Sequence, residues 1–189
     1  MFRRLLLSEF PQLSGEQVAL LERHFALVSR WNQKINLTRI QSVEEAVRLH
    51  YCESLFLGQV LPLGQLRIVD VGSGAGFPGI PVAVLRSDCA VDLVESHQRK
   101  AVFLREATRD LPNVRVFAKR AASLASSYDW MIARAIRPAD VLSLALAPNV
   151  ALLTSAQQAS NLVGPYQIEK VPWGEQRVLV VGEVPRGTC

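Results

Sequence analysis

Apolar residues fall along this chain in two different rhythms. From Ser14 onward, Val18, Leu21, Phe25, Val28 and Trp31 recur at helical spacing. They follow a Ser14-Gly15-Glu16-Gln17 box, in which Ser14 caps the helix and Gln17 reaches back to it. A second box, Ser42 and Glu45, opens another helical stretch carrying Val47, His50, Leu55 and Phe56. The first sixty residues therefore read as helical. The rhythm then shortens. Residues 67–71, 90–95, 114–117 and 130–133 are brief apolar or β-branched runs, with helical stretches at 80–86, 97–110, 120–126 and 138–147. Strands alternating with helices at this spacing predict a parallel sheet covered on both faces. The tail departs from that pattern: 151–154, 166–171 and 178–184 are strand-like and separated mostly by loop. The last two can pair through Pro172-Trp173-Gly174-Glu175. The expected fold is α/β: a doubly wound, mostly parallel sheet over residues 63–189 with an antiparallel edge at its C-terminus. A helical N-terminal extension, residues 1–62, packs on it to make a single structural unit.

Composition narrows the class. With 189 residues, 49% apolar and 20% charged, the chain has the length and core of one ordinary globular domain. Those values exclude a disordered tail, a collagen-like repeat and a disulfide scaffold. Cys52, Cys89 and Cys189 are odd in number, widely spaced and lack a C-x-x-C pairing. They point to a reducing compartment and to no metal site. Residues 1–7, Met-Phe-Arg-Arg-Leu-Leu-Leu, mimic the opening of a signal peptide. The apolar stretch stops at Ser8-Glu9, short of the roughly 7–15 residues an export signal needs. No apolar run is long enough to span a membrane, and the expected location is the cytoplasm.

The net charge of +4 is unevenly spread. Residues 1–50 carry 7 basic and 5 acidic side chains, 51–98 carry 2 and 5, 99–137 carry 9 and 3, and 138–189 carry 3 and 4. Arginine outnumbers lysine 17 to 4, and the planar guanidinium suits phosphate and base contacts. A solvated helix face accounts for the same charge equally simply.

The most informative stretch is Asp70-Val71-Gly72-Ser73-Gly74-Ala75-Gly76-Phe77-Pro78-Gly79, after the first strand and before a helix. That is where a doubly wound sheet binds its ligand, and glycines there let the backbone approach closely. Gly74, Gly76 and Gly79 also satisfy the dinucleotide pattern G-x-G-x-x-G, so the glycines alone leave two ligands open. The acid discriminates. A carboxylate at Asp70 is unhelpful beside an anionic pyrophosphate but suits the ammonium and sulfonium of S-adenosylmethionine (SAM). Pro78 and Pro81 also remove donors from the helix start, where a pyrophosphate would need them. Glu95, at the end of the second strand, lies at the right distance to grip a ribose diol of either nucleotide.

This loop resembles that of the class I SAM-dependent methyltransferases. The chain resembles one branch closely: the bacterial small-subunit (16S) ribosomal RNA guanine-N7 methyltransferases, once called glucose-inhibited division protein B. The likeness lies in Trp31-Asn32-Gln33-Lys34-Ile35-Asn36-Leu37-Thr38, in residues 69–81 with their Gly-Phe-Pro-Gly-Ile-Pro extension, in Arg99-Lys100-Ala101-Val102-Phe103-Leu104, in Ala133-Arg134-Ala135 and in residues 176–181. The resemblance implies a Rossmann-like fold and a cofactor site of Asp70, Gly72, Gly74, Gly76, Phe77 and Glu95. It places Ala121 and Ala122 beside the adenine and Arg134 beside the methyl donor. Asn36, Arg39, Arg99, Lys100 and Arg177 become the residues expected to meet RNA, with Arg134 and Arg177 on the substrate side of the reaction. Guanine N7 presents a lone pair, so no general base is expected, and no catalytic one is assigned. Phe77 and Trp173 are candidates for stacking on the base, against the simpler role of core aromatics. His50 is expected to be structural. The partner implied is 16S ribosomal RNA, within the 30S subunit or an assembly intermediate, met by a monomer.

Two departures from that family pattern stand out. Leu49-His50-Tyr51-Cys52-Glu53-Ser54 keeps the histidine but replaces the usual preceding arginine, and carries glutamate where the family has aspartate. Thr154-Ser155 occupies the place of a Lys-Gly after the fifth strand, and Ala122 that of a common glutamate. A SAM-binding protein with another substrate, or with reduced activity, therefore stays open.

Overall fold

The computed structural model describes residues 1–39, 42–125 and 128–184; Cys189 lies outside them. Seven strands form one sheet in the order β3-β2-β1-β4-β5-β7-β6. β1 (Arg67–Val71), β2 (Ala90–Val94), β3 (Val114–Phe117), β4 (Trp130–Arg134) and β5 (Asn149–Ser155) run parallel. β6 (Tyr166–Lys170) and β7 (Arg177–Glu183) form the antiparallel edge expected from the tail, with β7 inserted against β5.

The strands alternate cleanly between two cores. Ile68, Trp130, Ile132, Ala151 and Leu153 face one side, while Val69, Val71, Met131, Ala133, Val150 and Leu152 face the other. A period of two on strands buried on both faces is what helices on both sides require. The first face is thick. It carries α1 (Phe2–Glu9), α2 (Gly15–Asn32), α4 (Glu53–Val60), α5 (Gly79–Leu85) and α6 (Gln98–Ala107), and its core is continuous from Phe2 to Leu179. The second is thin, covered by the short helices α7 (Pro138–Leu142) and α8 (Ala156–Ala159).

Local chemistry sets the helix ends. The Ser14 box closes in both directions: Ser14 Oγ accepts the Gln17 amide, and Gln17 Oε1 accepts the Ser14 amide. The Gln17 amide nitrogen also donates to the Val84 carbonyl in the last turn of α5. Ser42 caps α3 (Val43–Ala46) in one direction only. Between α3 and α4 the helix widens into a π turn, Val47–Cys52, which the apolar pattern did not reveal. The helix expected over 138–147 stops at Leu142, because Ala145 adopts a positive φ of 47° and turns Leu146 and Ala147 into the core. The helix expected over 120–126 is a single 3-10 turn, Ala121–Ser123; 126 lies outside the described residues.

Candidate functional site

β1 and β4 are neighbours whose following helices lie on opposite faces of the sheet, so a crevice opens beyond their carboxyl ends. A cavity of about 1100 Å³ fills it. One wall is backbone: Gly72, Ser73, Gly74 and Ala75 after β1, with Arg134, Ala135 and Ile136 ending and following β4. The other belongs to the extension: Asn32, Asn36, Leu37, Thr38, Arg39 and His50, with Phe77 between the walls.

The glycines here answer to geometry. Gly72 has φ +66°, and a Cβ on it would lie 2.5 Å from Ile136 Cδ1. The backbone angle favours glycine, and an added Cβ would also push the tip of the Ile136 side chain aside. Ala135 stands opposite with a positive φ of 60°, a conformation non-glycine residues adopt at a cost.

Every donor of the first turn of α5 is used internally. Gly79 donates to Asp70 Oδ2 at 3.1 Å, Ile80 to the Gly76 carbonyl and Val82 to the Pro78 carbonyl, while Pro81 has none. A pyrophosphate would find no free amide at this helix end, which removes the dinucleotide reading. Asp70 itself is fully buried and outside the cavity lining; its Oδ1 has no partner. Burial pushes its carboxyl up to about 7, against the opposing pull of Ser73 and Gly79. Glu95 closes the loop from the far side, accepting the Gly74 amide at 3.0 Å and the His97 amide at 2.7 Å.

The extension wall is held by side chains. Asn32 Oδ1 accepts the amides of Leu37 and Thr38, and its Nδ2 donates to the Thr38 carbonyl, so one residue latches the 33–38 loop. His50 stacks on Phe77, ring centroids 4.6 Å apart, with Nε2 2.8 Å from Thr38 Oγ1 and Nδ1 unpartnered. Burial, with Arg134 adding to it, pulls its pKa down to about 3, so the imidazole stays neutral at ordinary pH. His24, in the buried stripe of α2, braces the glycine loop: Nε2 lies 2.9 Å from the Ala75 carbonyl and so carries the proton, leaving Nδ1 to accept from Tyr51.

The expected site residues thus divide. Gly72, Gly74, Phe77, Arg134, Asn36 and Arg39 meet on the cavity. Gly76, Glu95, Ala121, Ala122, Arg99, Lys100 and Arg177 lie outside its lining, although Glu95 touches the loop that forms it. Phe77 reaches the cavity with one face already taken by His50. Trp173 does not: it packs on Phe10 and Phe56 and donates to Glu9, so its role is the core one. The sequence noted Glu53 only as a departure. The structure makes it the common partner of Arg134 and Arg177. His24 carried a signal in its i+3 spacing from Leu21, on the buried side of α2.

Among the described residues no group of His, Cys, Asp and Glu could hold a metal ion, and no helix is long and apolar enough to cross a membrane. The profile of one protein family, described as rRNA small subunit methyltransferase G, matches residues 17–159. The chain belongs to that family. A ribosomal RNA small subunit methyltransferase G of Xanthomonas axonopodis pv. citri is 39% identical over 163 residues, 84% of this chain and 74% of the relative. The namesake of Chromobacterium violaceum is 45% identical over 111 residues, 58% of this chain and 53% of the relative. The matched stretch therefore spans about half of one methyltransferase G relative and about three quarters of the other. Among solved structures, a SAM-dependent O-methyltransferase of Thermotoga maritima superposes with a TM-score of 0.55 at 15% identity, covering 85% of this chain and 72% of its own. Aeropyrum pernix fibrillarin, solved with natively bound S-adenosyl-L-methionine, gives 0.52 at 14%, covering 68% and 72%. These likenesses confirm the Rossmann-like methyltransferase fold.

At the strand end where the resemblance led one to expect Lys-Gly, Thr154 Oγ1 donates to Gln158 Oε1 and Ser155 caps α8. Ser155 lies directly opposite Arg177 in the β5–β7 ladder, so a guanidinium still stands at that strand end.

Proposed function

We propose that this protein transfers a methyl group from SAM to N7 of a guanine in 16S ribosomal RNA. The observation that carries the reading is the cavity with two unlike walls, one of bare glycine backbone and one of amide and basic side chains. The fit to SAM rests on the loop around Gly72, whose positive φ favours glycine, on Glu95 at the end of β2, and on the absence of free helix-end amides. When bound, the cofactor supplies an electrophilic methyl on a sulfonium.

The chain's own part is alignment. Gly72 and Gly74 let the backbone close on the cofactor, and Glu95 is placed for its ribose. Asn36 and Arg39 face the cavity across the gap, and Arg134 stands at its rim. N7 needs no proton removed, and the neutral His50 is consistent with a reaction that calls for no charged acid or base. Holding the base in line with the methyl, about 3–3.5 Å away, is the main task. Lys34, Arg39, Arg99, Lys100, Lys119 and Arg120 have no carboxylate partner among the described residues, unlike Arg30 on Glu106 or Arg115 on Asp92. They are free to meet phosphates of the RNA, either in the 30S subunit or in an assembly intermediate.

The test is to incubate purified protein and methyl-labelled SAM with 30S subunits and with bare 16S RNA, then map the modified base. Label at a guanine N7 is expected, with RNA affinity falling steeply as salt rises. Label elsewhere overturns the chemistry. A second reading, a SAM-binding protein with reduced activity, draws on Thr154-Ser155; cofactor binding without label would favour it.

A further inference from the structure

Glu53 is fully buried, and its carboxylate reaches two cations from distant parts of the chain. Oε1 accepts from Arg177 Nε at 3.2 Å; Oε2 accepts from Arg177 Nη2 at 3.0 Å and from Arg134 Nε at 3.3 Å. Arg134 Nη2 donates to the Leu49 carbonyl at 2.8 Å, within the π turn that precedes Glu53. The cluster joins the extension, the end of β4 and the start of β7. Of its members, Arg134 lines the cavity.

Charge and geometry together give the cluster a purpose. Two guanidiniums and one carboxylate leave one net positive charge, beside a cavity expected to hold a charged cofactor and an anionic chain. With Nε and Nη2 engaged, Arg134 keeps Nη1 without a protein acceptor among the described residues. Its guanidinium plane is fixed at two points supplied by the extension, so the free edge has one orientation. A buried charge that loses its partner moves to regain solvent or another acceptor, and without Glu53 nothing would hold Nε in place. The widened π turn contributes the second point, since Leu49 sits within it; such turns are enriched where a helix must re-aim a group at a site.

We propose that Glu53 is a positioning residue for the transfer: it fixes the Arg134 guanidinium in the cavity wall and uses Arg177 to balance its own charge there. This rests on the methyl-transfer reading for its kinetic consequence but not for its structural one. The extension then completes the active site as well as carrying half of the cavity wall. Arg177 serves through Glu53, which explains how a residue expected on the substrate side lies outside the cavity lining.

The experiment uses the full chain and two readouts. The first is the side-chain Nε–H resonance of Arg134 in 15N spectra, assigned by its loss in Arg134→Lys. It is expected to be ordered and slowly exchanging in the unaltered protein and to be lost in Glu53→Gln. The second is steady-state methylation of 30S subunits and bare RNA. Glu53→Gln is expected to lower kcat about 100-fold, the cost of a misplacement near 1 Å, with RNA KM within threefold. Glu53→Asp, which keeps the charge, is expected to recover part of the rate. In the Arg134→Lys background, Glu53→Gln is expected to cost less than threefold more, because the two act as one unit. Should Glu53→Gln fail to fold, the same measurements are made on Glu53→Gln with Arg177→Met, which removes one cation with the anion. An unchanged Arg134 resonance in a folded Glu53→Gln protein overturns the proposal, as do independent, multiplicative losses in the double variant. If the unaltered protein transfers no methyl group to either RNA, the functional reading falls, and the resonance alone decides the positioning claim.

Discussion

The two walls of the cavity are built from different material. On the sheet side the wall is backbone: glycines in left-handed conformations, their amides donating to Val94, Glu95 and Ser73. On the extension side it is side chain: Asn32 latching a loop and His50 resting on Phe77, with Glu53 reaching across to hold Arg134 of the opposite wall. A backbone wall tolerates no added atoms and is indifferent to charge. A side-chain wall tolerates small changes in shape and fails when a hydrogen-bond partner is lost. On the proposed function, the cofactor meets the first wall and the RNA the second.

The largest effect is expected from Gly72→Val, which meets both the +66° backbone angle and Ile136. Isothermal titration should show SAM affinity reduced more than 100-fold, while RNA binding at low salt persists. Equal loss of both would erase the distinction between the walls. Asn32→Ala attacks the other side. It removes three hydrogen bonds from the 33–38 loop and leaves two backbone amides without their acceptor, a cost of roughly 1–3 kcal/mol. Steady-state methylation of RNA should fall about tenfold in kcat/KM with SAM affinity within twofold. A parallel fall in cofactor affinity would show the walls to be coupled.

The buried titratable groups around the cavity also differ in response to pH. His24 and His50 titrate in the fold at about 4 and about 3, below the ordinary value near 6.5. Their contribution to stability is present above pH 6.5 and is lost as pH falls through those values. Asp70 is raised to about 7, so its contribution is present below pH 3.8 and is lost as pH rises through about 7. Between pH 4 and 6.5 two histidines oppose one carboxyl. Stability by urea titration should drop by about 1 kcal/mol per pH unit on acidification and be nearly flat close to pH 7. Asp70→Asn should steepen the acid slope; an unchanged slope would show that Asp70 titrates normally.

The smallest effect is at Ala135. Glycine relieves its positive φ but gains freedom in the unfolded chain, and the two nearly cancel. Ala135→Gly should raise the melting temperature by about 1–3 °C and leave the cavity intact. A fall would mean that the methyl group packs more than its strain costs.

What could be read in the sequence follows the same division. The requirements of the backbone wall are local: a strand, an acid, four glycines and two prolines within fifteen residues, so loop, helix start and ligand class were all legible. The strands and the antiparallel edge were legible for a local reason too, since burial on both faces leaves short, near-continuous apolar runs set off by helical stretches or loop. Glu53 was not. Its partners lie 81 and 124 residues away, and a glutamate in an amphipathic stretch looks like any solvated one. The π turn was equally hidden, because one extra residue per turn barely disturbs an apolar stripe. Asp70 was placed correctly at the strand end, yet its side chain turns to the α5 amide because its position in the strand shares a face with Ile68.

Gln17 carries a consequence for how the molecule comes together. Its carbonyl oxygen completes the start of α2, and its amide nitrogen closes the end of α5. One side chain thus terminates two helices separated by almost seventy residues. The α2 cap closes locally, whereas the end of α5 gains this donor only once α2 is packed against it. The extension is therefore joined to α5 by a hydrogen bond at the helix end as well as by apolar contact, and Gln17→Glu would separate the two. The carboxylate still accepts at Ser14 but no longer donates to Val84, so α2 would keep its cap while losing its grip on the sheet.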